Sequence, residues 1–454
     1  MLSELILRLM NPLTDDMLKT MLTEPYPNNP LVMTTTFEKL SLRAVLEAGM
    51  RAETGQPLSR PLGSPLRLSP WEQLLLNPRQ LFELPTPDET PIETSVTIGP
   101  RAKKPLNLDT PILITGMSYG GSLNLPMKIA LAKGASRAGT ATNTGESAVS
   151  QEEREAAKYL IGQYNRGGWL NTPEQLEQVD AIEVQLGQGA WGGAVSSSGD
   201  ESKMDEHLRE LWRLDEGGSN GKKSRLPDIN TPQDIINLIN KLKKDYSVPV
   251  GIKIAATHFM EKELDVIAQT QADFIVIDGQ EGGTAAAAPT LEDDMGLPTL
   301  FGLGRTINWL RQQGIRNRFT VIAAGGFRTP GEMLKALALG ADAVYIGSIA
   351  ILSTLQSQMT KALPEHTAHQ LALYDGALKA EFDVEEGSEH LANFLFSCQA
   401  EMKMALQAMG KTTVTDLGRD DLVCLNSELA RNLQIGYVGE PSATNWGAAP
   451  LAAR

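Results

Sequence analysis

The stretch Ala323–Ser348, "AAGGFRTPGEMLKALALGADAVYIGS", decides the fold. An apolar strand runs into Gly325 and Gly326. A helical segment, "TPGEMLKALALG", follows it, and a second apolar strand, "AVYIGS" at 343–348, ends in Gly347 and Ser348. Strand, helix and strand in that order build a parallel sheet. The same texture extends outward. Further strands are expected as "PILITGM" at 111–117, "GTATNTG" at 139–145, "LIGQY" at 160–164, "AIEVQLG" at 181–187, "PVGIKIA" at 249–255, "DFIVIDG" at 273–279 and "FTVIAAGG" at 319–326. Helical segments such as "LPMKIALAKGASRAG" and "TPQDIINLINKLKKD" fall between them. Eight strands over this length predict an α/β fold, a (β/α)8 TIM barrel.

The 454 residues exceed one barrel, so additions are expected at both ends. An N-terminal wrapping arm is expected over 1–105, with short helical pieces around "FEKLSLRAVLEAGMRAE" and with Trp71, Leu74, Leu75 and Phe82 buried. The barrel is expected over 106–362, with a lid-like, Gly/Ser-rich insert at 189–230, and a C-terminal helical extension over 363–454. The opening "MLSELILRLMNPL", with Glu4 and Arg8 at helical spacing, reads as an amphipathic helix and not as a signal peptide. No window approaches the roughly 20 apolar residues of a membrane span. The net charge of −14 argues against nucleic acid or an anionic membrane as partner. A cytoplasmic protein is expected, and homo-oligomer formation is left open. Cys398 and Cys424 are the only cysteines. Their spacing supports no metal site, so they are expected as buried free thiols.

Barrel chemistry sits at the C-terminal ends of the strands. Those ends read "TGMSYGG", "NTGES", "GQGA", "KIAATH", "DGQEGGT", "AAGGF" and "YIGS", so Ser118, Glu146, Gln188, Lys253, His258, Asp278 and Thr284 are expected to converge there. The glycine pairs after the last two strands stand where barrels hold phosphate on backbone N–H groups. They would equally serve tight turns. Lys253, flanked by apolar residues in "GIKIA", should point inward and needs an anionic partner such as Asp278. A flavin mononucleotide (FMN) would use that cation beside its pyrimidine and "TGMSYGG" as a ledge. Glu146 is either a mouth residue or a helix cap. His258 is either a proton donor or a helix-start residue. Arg154, Arg166 and Arg209 either meet a substrate carboxylate or solvate the surface.

Taken together, "PILITGMSYGG", "NTGES", "EVQLGQGA", "GIKIA", "IDGQEGGT" and "AAGGFRTPGEMLKALALGADAVYIGS" resemble the FMN-binding synthase domain of glutamate synthases, over about Asn77 to Ile351. The resemblance implies an FMN-dependent oxidoreductase that acts on a small amino, imino or keto acid and takes electrons from an external donor, a nicotinamide or a flavoprotein. It implies catalytic roles for Glu146, Gln188 and His258. It places FMN on Gly116, Met117, Ser118, Thr144, Gln163, Lys253, Gly282, Gly283, Thr284, Gly325, Gly326, Gly347 and Ser348. An FMN-barrel isomerase and a non-catalytic flavin-binding subunit are the other readings. Three departures from the family pattern are expected to matter. Leu2 stands where the glutaminase nucleophile would be, and "IAILSTLQSQMTKALPEH" has no cysteine for an iron–sulfur cluster. Trp191 occupies the position of a family lysine that binds the 2-oxoglutarate carboxylate. It is therefore expected to line the substrate site and to disfavour that acid.

Overall fold

Eight parallel strands form one sheet in the computed structural model, which describes residues 14–25, 29, 31–285 and 287–441. The amphipathic segment expected over 1–13 lies outside those residues, as does 442–454. The strands are β1 (Ile112–Ile114), β2 (Ala141–Asn143), β3 (Tyr159–Tyr164), β4 (Ala181–Gln185), β5 (Val250–Ala255), β6 (Phe274–Asp278), β7 (Thr320–Ala324) and β8 (Ala343–Ile346). Their order is β1-β8-β7-β6-β5-β4-β3-β2. Only the β1/β2 seam lacks a ladder, and there Thr140 Oγ1 donates to the Ile112 carbonyl at 2.7 Å. The sheet is thus nearly closed into the expected barrel. β5, β6 and β7 are buried along their whole lengths, which explains their unbroken apolar runs.

β3 and β5 end where expected, at Tyr164 and Ala255, and the other six strands stop short of the expected end. In β7 the ladder halts at Ala324 because Gly325 (φ 116°) and Gly326 (φ 75°) leave the extended region. The residues freed in this way become the loops of the barrel mouth. Helices then start on side-chain caps: α1 (Leu125–Arg137) on Asn124, α2 (Gln151–Ala156) on Ser150, α4 (Pro232–Asp245) on Thr231 and α7 (Pro330–Leu339) on Thr329. The remaining barrel helices are α3 (Pro173–Leu176), α5 (Met260–Ala268), α6 (Thr299–Gln312) and α8 (Ser348–Leu355).

The chain divides into a unit ending at Ser59 and a unit from Arg60 onward. In the first, the expected helical stretch forms helices Leu31–Leu40 and Leu42–Thr54. In the second, the segment after Arg60 and the C-terminal region join the barrel. The long helix α9 (Val384–Ala408) lies on α1, where Gly134 makes room for Leu391 and Glu385 pairs with Lys133 and Arg137. Strand Leu74–Leu76 pairs antiparallel with Leu422–Cys424, which pairs parallel with Gly436–Tyr437. Trp71 and Leu74 are buried as expected. Leu75 and Phe82 are not, at 44% and 65% exposure. Leu75 follows Leu74 on a strand whose side chains alternate, so it turns outward. Cys398 and Cys424 are buried and free. Burial pushes the Cys398 thiol up to about 12. Among the described residues no helix is long and apolar enough to cross a membrane.

Candidate active site

A cavity of about 580 Å³ opens at the C-terminal ends of the strands. Its floor is the barrel interior, and strand register decides what reaches it. Phe274, Val276 and Asp278 share one face of β6, and Asp278 lines the cavity, so that face points inward. Lys253, paired in register with Val276, points the same way. Its Nζ lies 3.3 Å from Asp278 Oδ2 and 3.5 Å from Thr115 Oγ1. Burial alone would lower the Lys253 pKa. The charges of Asp278 and Glu183 outweigh that and hold it above its ordinary value, so Lys253 stays an ammonium.

Beside it, Glu183 collects three donors. Tyr345 Oη donates to it at 2.9 Å, Gln163 Nε2 at 2.7 Å and Asn143 Nδ2 at 3.3 Å. Burial, reinforced by Glu183, keeps the Tyr345 hydroxyl protonated well past its usual range. Neither Glu183 nor Tyr345 is anticipated from the sequence. Yet a carboxylate in the middle of "AIEVQLG" carries the same signal as the lysine inside "GIKIA".

The wall toward the insert is built on Glu146. Its carboxylate accepts from Arg166 Nε at 3.0 Å and Nη2 at 3.3 Å, and lies 3.0 Å from Lys222 Nζ. Burial would raise its pKa, but Lys222 and Arg166 prevail and hold it below the usual carboxylate range. Glu146 is therefore a fixed anion rather than a helix cap. Of the three arginines left open by the sequence, Arg166 is buried here, whereas Arg154 pairs with Asp180 and Arg209 with Asp215.

The glycine-rich loop after β4 owes its composition to crowding. A Cβ on Gly189 would sit 1.8 Å from the Gly279 carbonyl, so the loops after β4 and β6 meet backbone to backbone. Trp191 follows, its Nε1–H donating to Thr284 Oγ1 at 2.9 Å. Lys222 Nζ stands over the Trp191 ring at 5.1 Å. Trp191 is thus joined by an ammonium from further along the insert.

The two glycine loops and the start of α8 also line the cavity. That helix begins at Gly347 with no side-chain cap, leaving its first N–H groups to the cavity, which Gly347 and Ser348 line. Arg328, missed by the sequence reading, also lines this end and pairs with Glu332.

Of the expected site residues, Gly116, Met117, Ser118, Glu146, Gln163, Gln188, Trp191, Lys253, Gly282, Gly283, Thr284, Gly325, Gly326, Gly347 and Ser348 all line this cavity. Thr144 and His258 do not. Thr144 is fully buried behind the wall, where its Oγ1 accepts from the Gln163 backbone N–H at 3.0 Å. His258 is exposed outside the mouth, its backbone carbonyl accepting from Arg305 at 2.9 Å. Having left β5 at Ala255, the chain turns outward toward α5 before it reaches His258. His369, from the C-terminal region, is the cavity's imidazole instead.

Fold and site together define a (β/α)8-barrel protein whose cavity is lined by glycine loops and by buried cations. The chain belongs to the family described as the conserved region in glutamate synthase, whose sequence profile matches residues 73–412. It is 31% identical over 442 residues to a "Glutamate synthase large subunit-like protein" of Rhizobium meliloti (strain 1021), covering 92% of this chain and 97% of that one. It is also 31% identical over 377 residues to an archaeal-type glutamate synthase (NADPH) of Thermotoga sp. (strain RQ2), covering 83% and 72%. Among solved structures, a flavocytochrome b2 variant with benzoylformate shares the fold, with a TM-score of 0.50, 16% identity and 80% coverage of each chain.

Proposed function

We propose that this chain is an FMN-dependent oxidoreductase acting on a small amino, imino or keto acid and fed by an external electron donor, a nicotinamide or a flavoprotein. One observation carries the reading. A single cavity joins an uncapped helix start and two glycine loops to a buried, permanently charged lysine. Those two ends suit the phosphate and the pyrimidine of one flavin. The fit has steric support. A Cβ on Gly326 would come 2.8 Å from Glu281 Cβ, and one on Gly283 would come 2.3 Å from Ser348 Oγ, so side chains there would fill the cradle.

In this reading Gly325, Gly326, Gly347, Ser348 and Arg328 hold the phosphate. Lys253 faces the pyrimidine, and Gly116 to Ser118 form the ledge. When bound, FMN supplies two-electron transfer to and from the acid. Glu146, held ionised, does not donate a proton but fixes charge at the cavity wall. Gln188 offers a neutral amide to the acid. His369 lines the same cavity, with its Nε2 buried and without a hydrogen-bond partner among the described residues.

The purified protein should carry one FMN per chain. Anaerobic photoreduction should bleach it, and a 2-oxo acid with ammonium should restore the oxidised spectrum. Bleaching with no reoxidation by any such acid would argue for the isomerase, and a colourless protein that takes up no FMN would overturn the reading.

A further inference from the structure

We propose that Lys222, carried by the insert, is the cation that receives the carboxylate of the small acid bound in the cavity. The proposal rests on the oxidoreductase reading only for the identity of that acid. Lys222 sits on the two-residue strand Gly221–Lys222, paired antiparallel with Ser197–Ser198, and its side chain is 15% exposed on the cavity wall. An ammonium has three N–H donors. Glu146 takes one at 3.0 Å and the Trp191 ring lies under the group at 5.1 Å, which leaves donor capacity for a ligand.

Local charge separates this lysine from the other one. Around Lys253 stand Asp278 and Glu183, and the charge of Glu146 reaches it as well, so this cation is already fully answered by carboxylates. That end has no call for a further anion. Around Glu146 stand Arg166 and Lys222, two cations to one carboxylate, all nearly buried. Counted together the three cations and three carboxylates balance, but at the Glu146 wall the two cations outnumber the carboxylate locally, which favours an anion there. A ligand carboxylate gains from that local excess, whereas an uncharged ligand does not.

The hairpin that carries Lys222 is held in place before any ligand arrives. Arg166 Nη1 donates to the carbonyls of Val195 and Lys223 at 3.2 and 3.3 Å, one on each side of the hairpin. Trp212 of the insert stacks on Trp169 at 4.0 Å, and Trp169 Nε1 donates to the Ser219 carbonyl at 2.8 Å. Trp191, pinned by Thr284, is a positioning residue whose ring face holds the ammonium. A lysine so restrained loses little freedom on binding.

The test is calorimetric titration of 2-oxobutyrate and its neutral amide into wild type, Lys222→Met and Lys222→Arg, each with FMN bound and with FMN stripped. Wild type should prefer the acid by roughly tenfold or more, the size of a charge-assisted hydrogen bond. Lys222→Met should erase that preference and Lys222→Arg should keep part of it. If the methionine variant does not fold, Lys222→Gln replaces it. Retention of the preference in the neutral variants overturns the proposal, as does a wild type that ignores the acid or binds acid and amide alike. FMN content is measured separately. A wild type that never holds FMN defeats the oxidoreductase reading, while the flavin-free titration still decides the role of Lys222.

Discussion

A lysine inside a barrel persists as a cation only where carboxylates outweigh its desolvation. Lys253 meets that condition through Asp278 at 3.3 Å and through Glu183, whose two oxygens are occupied by Tyr345, Gln163 and Asn143. Removing the cation therefore does more than delete one contact, because it strands two anions in the barrel. Lys253→Met should lower unfolding free energy by about 3–5 kcal/mol, the cost of breaking a buried pair from one side. The double variant Lys253→Met/Asp278→Asn should recover part of the loss, because one stranded charge is gone. Denaturant midpoints for the two proteins decide the matter. A single variant within about 1 kcal/mol of wild type would mean that water reaches Asp278 freely and that the pair is not desolvated.

At the scale of strands, the barrel interior is packed by exchange between neighbours. Gly251 on β5 faces Phe274 on β6 in register, and a Cβ on Gly251 would lie 2.2 Å from the phenyl ring. One strand gives up its side chain so that the next can place a ring in the core. Gly251→Ala should therefore overpack this layer and destabilise by about 1–3 kcal/mol, whereas Gly251→Ala/Phe274→Leu should regain much of it. Equal losses in both proteins would show that the ring does not fill that space. Legibility in the sequence follows the same division between local and remote. Most strands announce themselves as short apolar runs, although β2 (Ala141, Thr142, Asn143) does not, and the glycines after β7 and β8 mark their ends, so the barrel can be read directly. The expected ends of β7 and β8 run too far because those glycines belong to the mouth and not to the ladder. Glu183 was overlooked although its signal is local. Lys222, Arg166 and His369 are a different case, because only the folded chain brings them to Glu146 and Trp191 or to the wall beside α8.

At the scale of the whole molecule, the cavity is the meeting point of segments far apart in the chain. Leu62 to Trp71, the loops after the strands, the insert with Trp191 and Lys222, and His369 all contribute walls. Leu62 donates its backbone N–H to the Thr284 carbonyl at 2.8 Å, and Thr284 Oγ1 in turn accepts from Trp191. A ligand that fills this space touches every segment at once, so its binding energy appears as stability of the whole unit. For a single site, free ligand at a hundred times its dissociation constant adds about 2.7 kcal/mol, which in a domain of this class raises the melting temperature by several degrees. The phosphate supplies much of that gain if the glycine loops and the α8 start hold it, through charge-assisted bonds worth roughly 1.5–3 kcal/mol each. Flavin-stripped protein melted with FMN should therefore gain several degrees, and with riboflavin at the same concentration far less. Gly326→Ala, strained at φ 75° and with its Cβ against Glu281, should cut the FMN response down toward that of riboflavin. Equal stabilisation by the two flavins would move the phosphate away from these loops, and with it the orientation that turns the acid toward Lys222.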